Sequence, residues 1–494
     1  MDLVIVHPGA AREIYGTLGD SLVACEPPLW ARLIAGYIRD RGFSVSIIDA
    51  EALKLPPVFV AHDVLRMQPR LIAIAVYGHM PSASTQQMTG AGETAREIKK
   101  RWPDAKIIML GGHVSALPKR TMQEEEIDYA CVGEGPETVL GLLKEDYRER
   151  IPGLVWAEGD GEIVINKPAV SIDLSQLHGN VWDLLPMSLY KAHNWQCLGR
   201  IGERQPYASI YTSLNCPFSC SFCCISAPFG NKRYLMRQPQ DVIDEVVMLR
   251  RDYGVKTFKI IDEMFVLNEK HYMAIANGLA EHNANDELNI WAYARVDTVR
   301  EKTLQALRKA GIRWLALGIE SGSKYVRDGA DKRLKNDDIE TVVKTIQAAD
   351  INVIGNYIFG LPDDTMDSMR ETLDLAMRLN TEFANFYSAQ AYPGSPLYDE
   401  AVKKGWTLPE TWRGFSQHND DCRPLDTMHI HGAQVLKFRD EAFTTYYRNP
   451  KYLDMVEDKF GAEALAHIKQ MTTYKLKRKL VDDYFAPVKW ASSH

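Results

Sequence analysis

The chain has 494 residues, 46% of them hydrophobic and 25% charged, with a formal net charge of −7. This is the balance of a folded protein of about three domains with ample apolar mass for its cores, and its acidity argues against a general nucleic-acid binder. No apolar run approaches the roughly 18 residues of a membrane span, and MDLVIVHPGA lacks the basic start of a signal peptide. A cytoplasmic protein is therefore expected, in a reducing compartment where eight cysteines point to metal or catalysis rather than to a disulfide framework.

Residues 1–150 alternate short apolar runs with helical patterns. Strands are predicted at 3–6, 45–49, 71–76, 106–112 and 129–133. In PPLWARLIAGYIRDRG, Leu29, Trp30, Leu33, Ile34, Tyr37 and Ile38 recur at helical spacing, with prolines at the start and Gly42 at the end. A second helix is predicted over 92–102. The alternation implies a doubly wound, Rossmann-like parallel sheet, whose ligands bind at the carboxyl ends of the strands. Those ends read YGHMPSAST, GGHVSALP and GEGPET. Glycines there let backbone approach a large ligand, and hydroxyls give directional hydrogen bonds. No G-x-G-x-x-G follows the first strand, which disfavours a dinucleotide.

Taken in order, these strand ends resemble the cobalamin-binding domain found ahead of many radical S-adenosylmethionine (SAM) enzymes. The resemblance implies that Ser82, Ser84, Thr85, Gly111, Gly112, His113, Gly133, Glu134 and Gly135 lie around the corrin. Unlike methionine-synthase-like domains, the chain carries no D-x-H-x-x-G. Cobalamin is therefore expected to bind without a histidine below its cobalt, and His7 and His113 are read as hydrogen-bonding loop residues.

A hairpin is predicted over 151–165, with Gly-Asp-Gly at its turn, and a Pro-punctuated connection over 166–200. The segment 151–200 is thus an interdomain linker. Cys197 within it is read as a buried, bland residue.

The strand predicted at 207–214 leads into NCPFSCSFCC, which holds Cys216, Cys220, Cys223 and Cys224. Zinc structural sites want four ligands, commonly two C-x2-C pairs, and no second pair exists here; Cys25, Cys131 and Cys422 are isolated. Ferredoxins use four cysteines per cluster. Three thiolates on a [4Fe–4S] cluster leave one iron open for a ligand. C-x3-C-x2-C with Phe222 before the last cysteine resembles the radical SAM superfamily signature, and over residues 1–400 the chain is similar to the cobalamin-dependent, class B-like members. The resemblance implies that Cys216, Cys220 and Cys223 hold the cluster and that SAM chelates the open iron. Cys224 is read as a small buried neighbour.

Strands predicted at 257–262, 288–297, 314–323, 351–362 and 382–398, separated by helices such as 239–252 and 364–379, complete six βα units, enough for an open barrel with its chemistry at the strand C-termini. The resemblance assigns Asp262 and Glu263 to the SAM amino group, Arg295 to its carboxylate, and Glu320 and Ser321 to the ribose. It places Asn356, Phe359, Gly360 and Leu361 near the adenine, and likens YPGSPLY to the family's close of the barrel. Residues 201–400 are the expected radical SAM core.

Residues 401–494 are expected to form a mostly helical cap. Helices are predicted over 432–449 and on through 451–485 with a break at Gly461, and the KLKRK run at 475–479 is read as a solvated face. Trp406, Trp412, Tyr446 and Tyr447 are read as core aromatics.

The family likeness implies an enzyme that moves a methyl group from SAM, by way of methylcobalamin, to an unactivated carbon of a small metabolite. Radical cyclisation, rearrangement or hydroxylation is the alternative within that chemistry, and a non-catalytic cobalamin or redox sensor is the alternative outside it. The expected cofactors are a [4Fe–4S] cluster, SAM and cobalamin. The expected partners are a small-molecule substrate and an electron donor such as flavodoxin or ferredoxin. A monomer or weak oligomer is expected.

Overall fold

The structure is a computed structural model that describes residues 1–10, 14, 24–78, 80, 82–334 and 338–486. Of the loop 77–85, His79 and Pro81 lie outside the described residues. The first sheet contains β1 (Leu3–His7), β2 (Val45–Asp49), β3 (Leu71–Val76), β4 (Ile107–Gly111), β5 (Tyr129–Cys131), β6 (Leu154–Ala157) and β7 (Ile163–Ile165), in the order β2-β1-β3-β4-β5-β6-β7. The first five pair in parallel. Every residue of β1 and β3 is buried, so their near-continuous apolar runs are what a sheet covered on both faces demands. The predicted hairpin is antiparallel and hydrogen-bonds onto β5, so it extends this sheet as β6 and β7.

The helix predicted over 92–102 begins earlier, at Ala83. Its first half carries small residues because it presses on the chain after β1: a Cβ on Gly90 would lie 2.5 Å from the Gly9 carbonyl oxygen. Close backbone approach replaced the apolar stripe that reveals a helix in sequence.

The second sheet starts with β8 (Tyr207–Ile210). A two-stranded ribbon of β9 (Ser213–Leu214) and β10 (Leu235–Met236) brackets the cysteine loop. The strand predicted over 207–214 is therefore broken at Tyr211 and Thr212. Then come β11 (Thr257–Ile260), β12 (Asn289–Arg295), β13 (Ile312–Glu320), β14 (Asn352–Phe359) and β15 (Phe383–Ser388), in the order β15-β14-β13-β12-β11-β8, all parallel. β8 and β15 do not pair with each other among the described residues, so the barrel is open. Trp195, from the connecting segment, packs on Trp291 and Phe383 with ring centroids 5.3 and 5.5 Å away.

The C-terminal region is helical over Gly432–Tyr447, Pro450–Met471 and Lys479–Tyr484, with Gly461 at φ +85 interrupting the second helix. The helix predicted across 472–478 does not form. Arg478, read as part of a solvated run, is 5% exposed; it pairs with Asp440 and donates to the Gln417 and Asn419 carbonyls. Tyr446 and Tyr447 are buried, and their hydroxyls donate to the Thr381 and Ala384 carbonyls. The α/β architecture is the one expected: a parallel-sheet domain, an open six-stranded barrel and a helical C-terminal region.

Two buried ion pairs fasten the first domain to the barrel. Arg32, on the helix Leu29–Arg39, reaches Glu245 at 3.3 Å, and Glu245 also takes Arg237 at 2.7 Å and the Trp182 indole N–H at 3.1 Å. Glu26 meets Lys259 of β11 at 3.0 Å.

Candidate functional site

The C-terminal ends of the barrel strands face the C-terminal edge of the first sheet across a cleft. His7, Tyr77, Gly78, Ser84 and Gly112 line one wall; Ser213, Cys224, Ile225, Phe229 and Glu263 line the other. Trp30 ties the walls together, stacked on Tyr77 at 4.7 Å and 6.0 Å from Phe229.

The cysteine loop is held from several directions. Asn215 sits at φ +68; its side-chain oxygen accepts the Cys216 N–H, and its amide donates to the Asn231 carbonyl. An Asn tolerates this left-handed geometry because its short polar side chain bonds locally. Ser221 N–H donates to the Ala330 carbonyl, and the Ser221 carbonyl accepts Leu397 N–H. All four loop cysteines are free thiols; Cys216, Cys220 and Cys223 are partly exposed, and Cys224 is buried. Burial pushes the Cys216 thiol up to about 11 and the Cys224 thiol up to about 12, and lifts Cys223 well above the ordinary thiol range, with Cys220 and Cys216 adding to the rise at Cys223. Unligated, Cys216, Cys223 and Cys224 stay protonated; a bound cation reverses that balance. Among the described residues no three His, Cys, Asp or Glu side chains converge closely enough for a single metal ion. Three thiols of one short loop are a soft donor set suited to iron–sulfur ligation.

Around the loop the strand-end residues divide into two groups. Arg295 comes to the cysteines: its Nη1 lies 3.9 Å from Cys220 Sγ and its guanidinium stacks on Phe218. Its remaining donors are taken by Asp297 and the Arg333 carbonyl. Glu320, at φ +66, pairs with Lys332 at 2.7 Å, both nearly buried. Burial works against the Lys332 ammonium, but Glu320 and Cys220 more than offset it and hold its pKa above the usual value. Gly318 lies against this pair, where a Cβ would come 2.6 Å from Lys332 Nζ. Glu263 faces the cleft, and burial pushes its carboxyl up to about 8. Asn356 donates to the Leu317 carbonyl and accepts from Asn385 at the barrel mouth. Tyr293 donates to Met80 Sδ across the cleft at 2.9 Å.

The other residues predicted as contacts make bonds or packing contacts within the fold. Both Asp262 oxygens accept hydrogen bonds, from Thr212 N–H, Thr212 Oγ1 and Ser213 Oγ, so this carboxylate ties the chain just past β11 to the turn between β8 and β9. The Ser321 hydroxyl is fully buried against Thr372. Phe359 packs on Phe386 and Phe438, and Leu361 lies in a core with Val326, Ala330 and Ala389. The Gly360 and Leu361 N–H groups both donate to Asp364.

On the opposite wall, Ser84 accepts the His113 N–H at 2.9 Å and donates to the Val76 carbonyl, joining the ends of β3 and β4. Gly111 is required at that junction: its φ is +154, and a Cβ would lie 2.0 Å from Val76 O. His113 Nδ1 is 3.2 Å from Thr85 Oγ1, and its ring meets Trp412 edge-on at 4.4 Å. Burial, with Arg120 nearby, lowers the His113 pKa to about 3, so the imidazole is neutral. Gly133 and Gly135 hold positive φ values of 118 and 105, and Ser115 spans to the Gly133 N–H. Ser82 sits where the helix Ala83–Arg101 starts. Three buried polar atoms at this edge lack partners: His7 Nε2, Gln87 Oε1 and Glu134 Oε2. Those orphaned atoms and glycine-shaped backbone fit a large ligand rich in hydrogen-bonding groups, as cobalamin is. Lys332, Asn385, Gln87 and His7 were not singled out from sequence as site residues. No spacing motif marks them; only the pairing of distant segments does.

Comparison with known proteins bears on both walls. The B12 binding domain family matches residues 16–143, and the Radical SAM superfamily matches residues 210–376. An uncharacterised methyltransferase of Pyrococcus horikoshii is 28% identical over 462 residues, covering 92% of this chain and 94% of that protein. The anaerobic magnesium-protoporphyrin IX monomethyl ester cyclase of Cereibacter sphaeroides is 25% identical, covering 81% of this chain and 63% of that one. The cytidylyl-2-hydroxyethylphosphonate methyltransferase of Streptomyces wedmorensis is 25% identical, covering 79% and 80%. Among solved structures, the radical SAM methyltransferase TsrM from Kitasatospora setae, with cobalamin and a [4Fe–4S] cluster bound, superposes with a TM-score of 0.66 at 18% identity, over 91% of this chain and 90% of that one. OxsB, a cobalamin-dependent SAM radical enzyme, does so with a TM-score of 0.69 at 14% identity, over 95% and 72%.

Proposed function

We propose, from the premise that the chain belongs to the cobalamin-dependent radical SAM methyltransferase family, that it transfers a methyl group from SAM to an unactivated carbon of a small metabolite. One observation carries this reading: a C-x3-C-x2-C loop of free thiols lies at the open mouth of a six-stranded parallel barrel, and its end, at Cys224 and Ile225, lines a cleft shared with the strand ends of a B12 binding domain. The fold relatives that carry cobalamin, a [4Fe–4S] cluster and SAM support assigning the same three groups here. When bound, the cluster supplies the electron that cleaves SAM and cobalamin supplies the methyl group, which together permit methylation of a carbon that has no lone pair to attack a sulfonium.

The residues have separate tasks in this reading. Cys216, Cys220 and Cys223 are the cluster ligands. Arg295 and Lys332 place positive charge beside the thiolates and offset the negative charge that ligation gathers there. Glu263, Asn356 and Asn385 offer SAM or substrate hydrogen-bonding groups at the barrel mouth. Ser82, Thr85, Gly111, Gly112, Gly133 and Gly135 shape the cobalamin edge. The buried ion pairs hold the two edges in register, which matters because a reacting carbon must meet both cofactors within bonding reach. An electron carrier such as flavodoxin or ferredoxin is the expected donor.

Anaerobically reconstituted protein, given labelled SAM and candidate metabolites, tests the reading. The expected products are S-adenosylhomocysteine, 5′-deoxyadenosine and methionine, with a substrate that gains one CH2 in mass. A substrate that instead loses hydrogen or gains oxygen, with no label transferred, supports the cyclase-like alternative suggested by the cyclase relative.

A further inference from the structure

The strand register shows which side chains face the interior of the open barrel. Trp195 packs against Trp291 of β12, Trp314 of β13 and Phe383 of β15, and one ring meets three strands only from inside. Side chains alternate along a strand, so Tyr293, Gly318, Asn385 and Tyr387 face the same way. Asn356 joins them, because it lies in register between Gly318 and Asn385. The residues between them face out: Tyr357, Phe359 and Phe386 pack on one another and on the helix Gly432–Tyr447. Trp291, Trp314 and Phe383 are buried, whereas Tyr293, Gly318, Asn356, Asn385 and Tyr387, nearer the strand C-termini, are only half-buried. The interior therefore has an aromatic floor and opens toward the strand C-termini.

Its polarity is set by one backbone group. The Leu317 carbonyl can only accept, so Asn356 turns its amide nitrogen to it, at 3.1 Å. The Asn356 oxygen is then left for Asn385, which donates to it at 2.9 Å. The Asn385 oxygen comes last in this chain and has no hydrogen-bond partner among the described residues. A carboxamide oxygen held in this way accepts an N–H or O–H and repels an anion. The cations offer an anion no better place. Lys259, over the Trp291 ring, is paired with Glu26, Arg295 with Asp297, and Lys332 with Glu320, each nearly buried. Drawing one of them to a phosphate strips a buried carboxylate of its partner. Glu263, at the rim, is pushed up to about 8 by burial and is mostly uncharged at neutral pH.

We propose that Asn385 reads the substrate: the end of the molecule that enters the barrel is uncharged and apolar except for one hydrogen-bond donor, an O–H or N–H given to Asn385 Oδ1, and it carries no phosphate, phosphonate or carboxylate. This rests on the methyl-transfer reading above and narrows its substrate. Asn356, expected near the adenine, is here the positioning residue that holds Asn385 in this orientation.

Ligand-observed 19F nuclear magnetic resonance tests this with three probes of one shape: 4-fluorophenol, 4-fluoroanisole and 4-fluorophenyl phosphate. They are titrated into the full chain as purified, and again after anaerobic reconstitution of the cluster and saturation with SAM, without reductant. The phenol is expected to bind about fivefold more tightly than the ether, the worth of one hydrogen bond, with SAM present or absent. The phosphate ester should not displace it. Asn385→Leu should lower the phenol to the level of the ether, and Asn385→Asp, which keeps an acceptor oxygen, should retain the preference. Equal binding of phenol and ether, displacement by the phosphate ester, no binding of any probe, or a preference that survives Asn385→Leu overturns the proposal. So does a phenol that SAM displaces, which gives Asn385 to SAM instead. The comparison among probes is made in the unaltered chain, so it stands even where a variant folds poorly. It needs no turnover: its failure leaves the methyl-transfer reading intact, and probe binding as expected without formation of S-adenosylhomocysteine in turnover assays counts against that reading alone.

Discussion

The two walls of the cleft are finished to different degrees. On the barrel side the charged strand-end groups are largely paired, Arg295 with Asp297, Lys332 with Glu320, Asp262 with Thr212 and Ser213, and the orphaned atoms there belong to uncharged side chains such as Ser388 and Gln390. On the facing edge His7, Gln87 and Glu134 keep buried atoms without partners. A site closed by internal pairing can stand ready for a small chelating ligand that adds to it. A site with unsatisfied atoms depends on its ligand to complete its hydrogen bonding, and its stability is tied to occupancy.

The largest expected effect tests the finished wall. Replacing Cys216, Cys220 or Cys223 by Ala should abolish the cluster absorbance and SAM cleavage, while Cys224→Ala keeps both. Loss of the cluster in Cys224→Ala alone would make the buried cysteine a ligand and the loop a closed site. Next comes the joint between the walls: Glu245→Ala strands Arg32 and Arg237 without their buried carboxylate. The expected loss is about 3–5 kcal/mol in denaturant unfolding; a loss below about 1 kcal/mol would show that the pair behaves as if solvated.

The dependence of the unfinished wall on its ligand is open to measurement. Cobalamin at a hundredfold excess over its Kd should stabilise the chain by about 2.7 kcal/mol, with hydrogen-exchange protection concentrated at the ends of β1 and β3. Protection spread evenly over the barrel would erase the contrast. Over the first pH unit of acidification the effect set by pH is the smallest. His113 is held neutral in the fold, with its pKa lowered from 6.5 to about 3. The unfolded chain therefore binds a proton that the folded chain does not in the window between those values. Stability from this residue is full above about 6.5 and falls by about 1.4 kcal/mol per pH unit below it. Urea midpoints at neutral and mildly acidic pH should diverge less in His113→Gln than in the parent; equal divergence would mean that the imidazole is not neutral in the fold.

Much of this was legible in the sequence where one local signal sufficed. The buried runs LVIV and LIAIAV, and three cysteines in eight residues, need no tertiary context. The helix starting at Ala83 was half hidden because Gly90 and Gly92 serve close packing rather than an apolar stripe. The burial of the Asp262, Phe359 and Leu361 side chains and the internal bonds of Asp262 were not legible, because a position in a strand does not reveal which way its side chain points. Lys332 was invisible because it reaches Glu320 from a loop with no periodic pattern. Arg478 looked solvated in a basic run, since nothing in KLKRK points to Asp440, nearly forty positions earlier.

The contact made by Arg32 has a consequence for engineering. Its guanidinium also donates to the main-chain carbonyls of Ser209 in β8 and Gly179 in the connecting segment, so one side chain from the first domain completes the hydrogen bonding of the second. The halves are not interchangeable parts. A chimera that borrows a foreign B12 module must import an arginine at that place, or it leaves Glu245 and a barrel strand short of a partner before any cofactor is added.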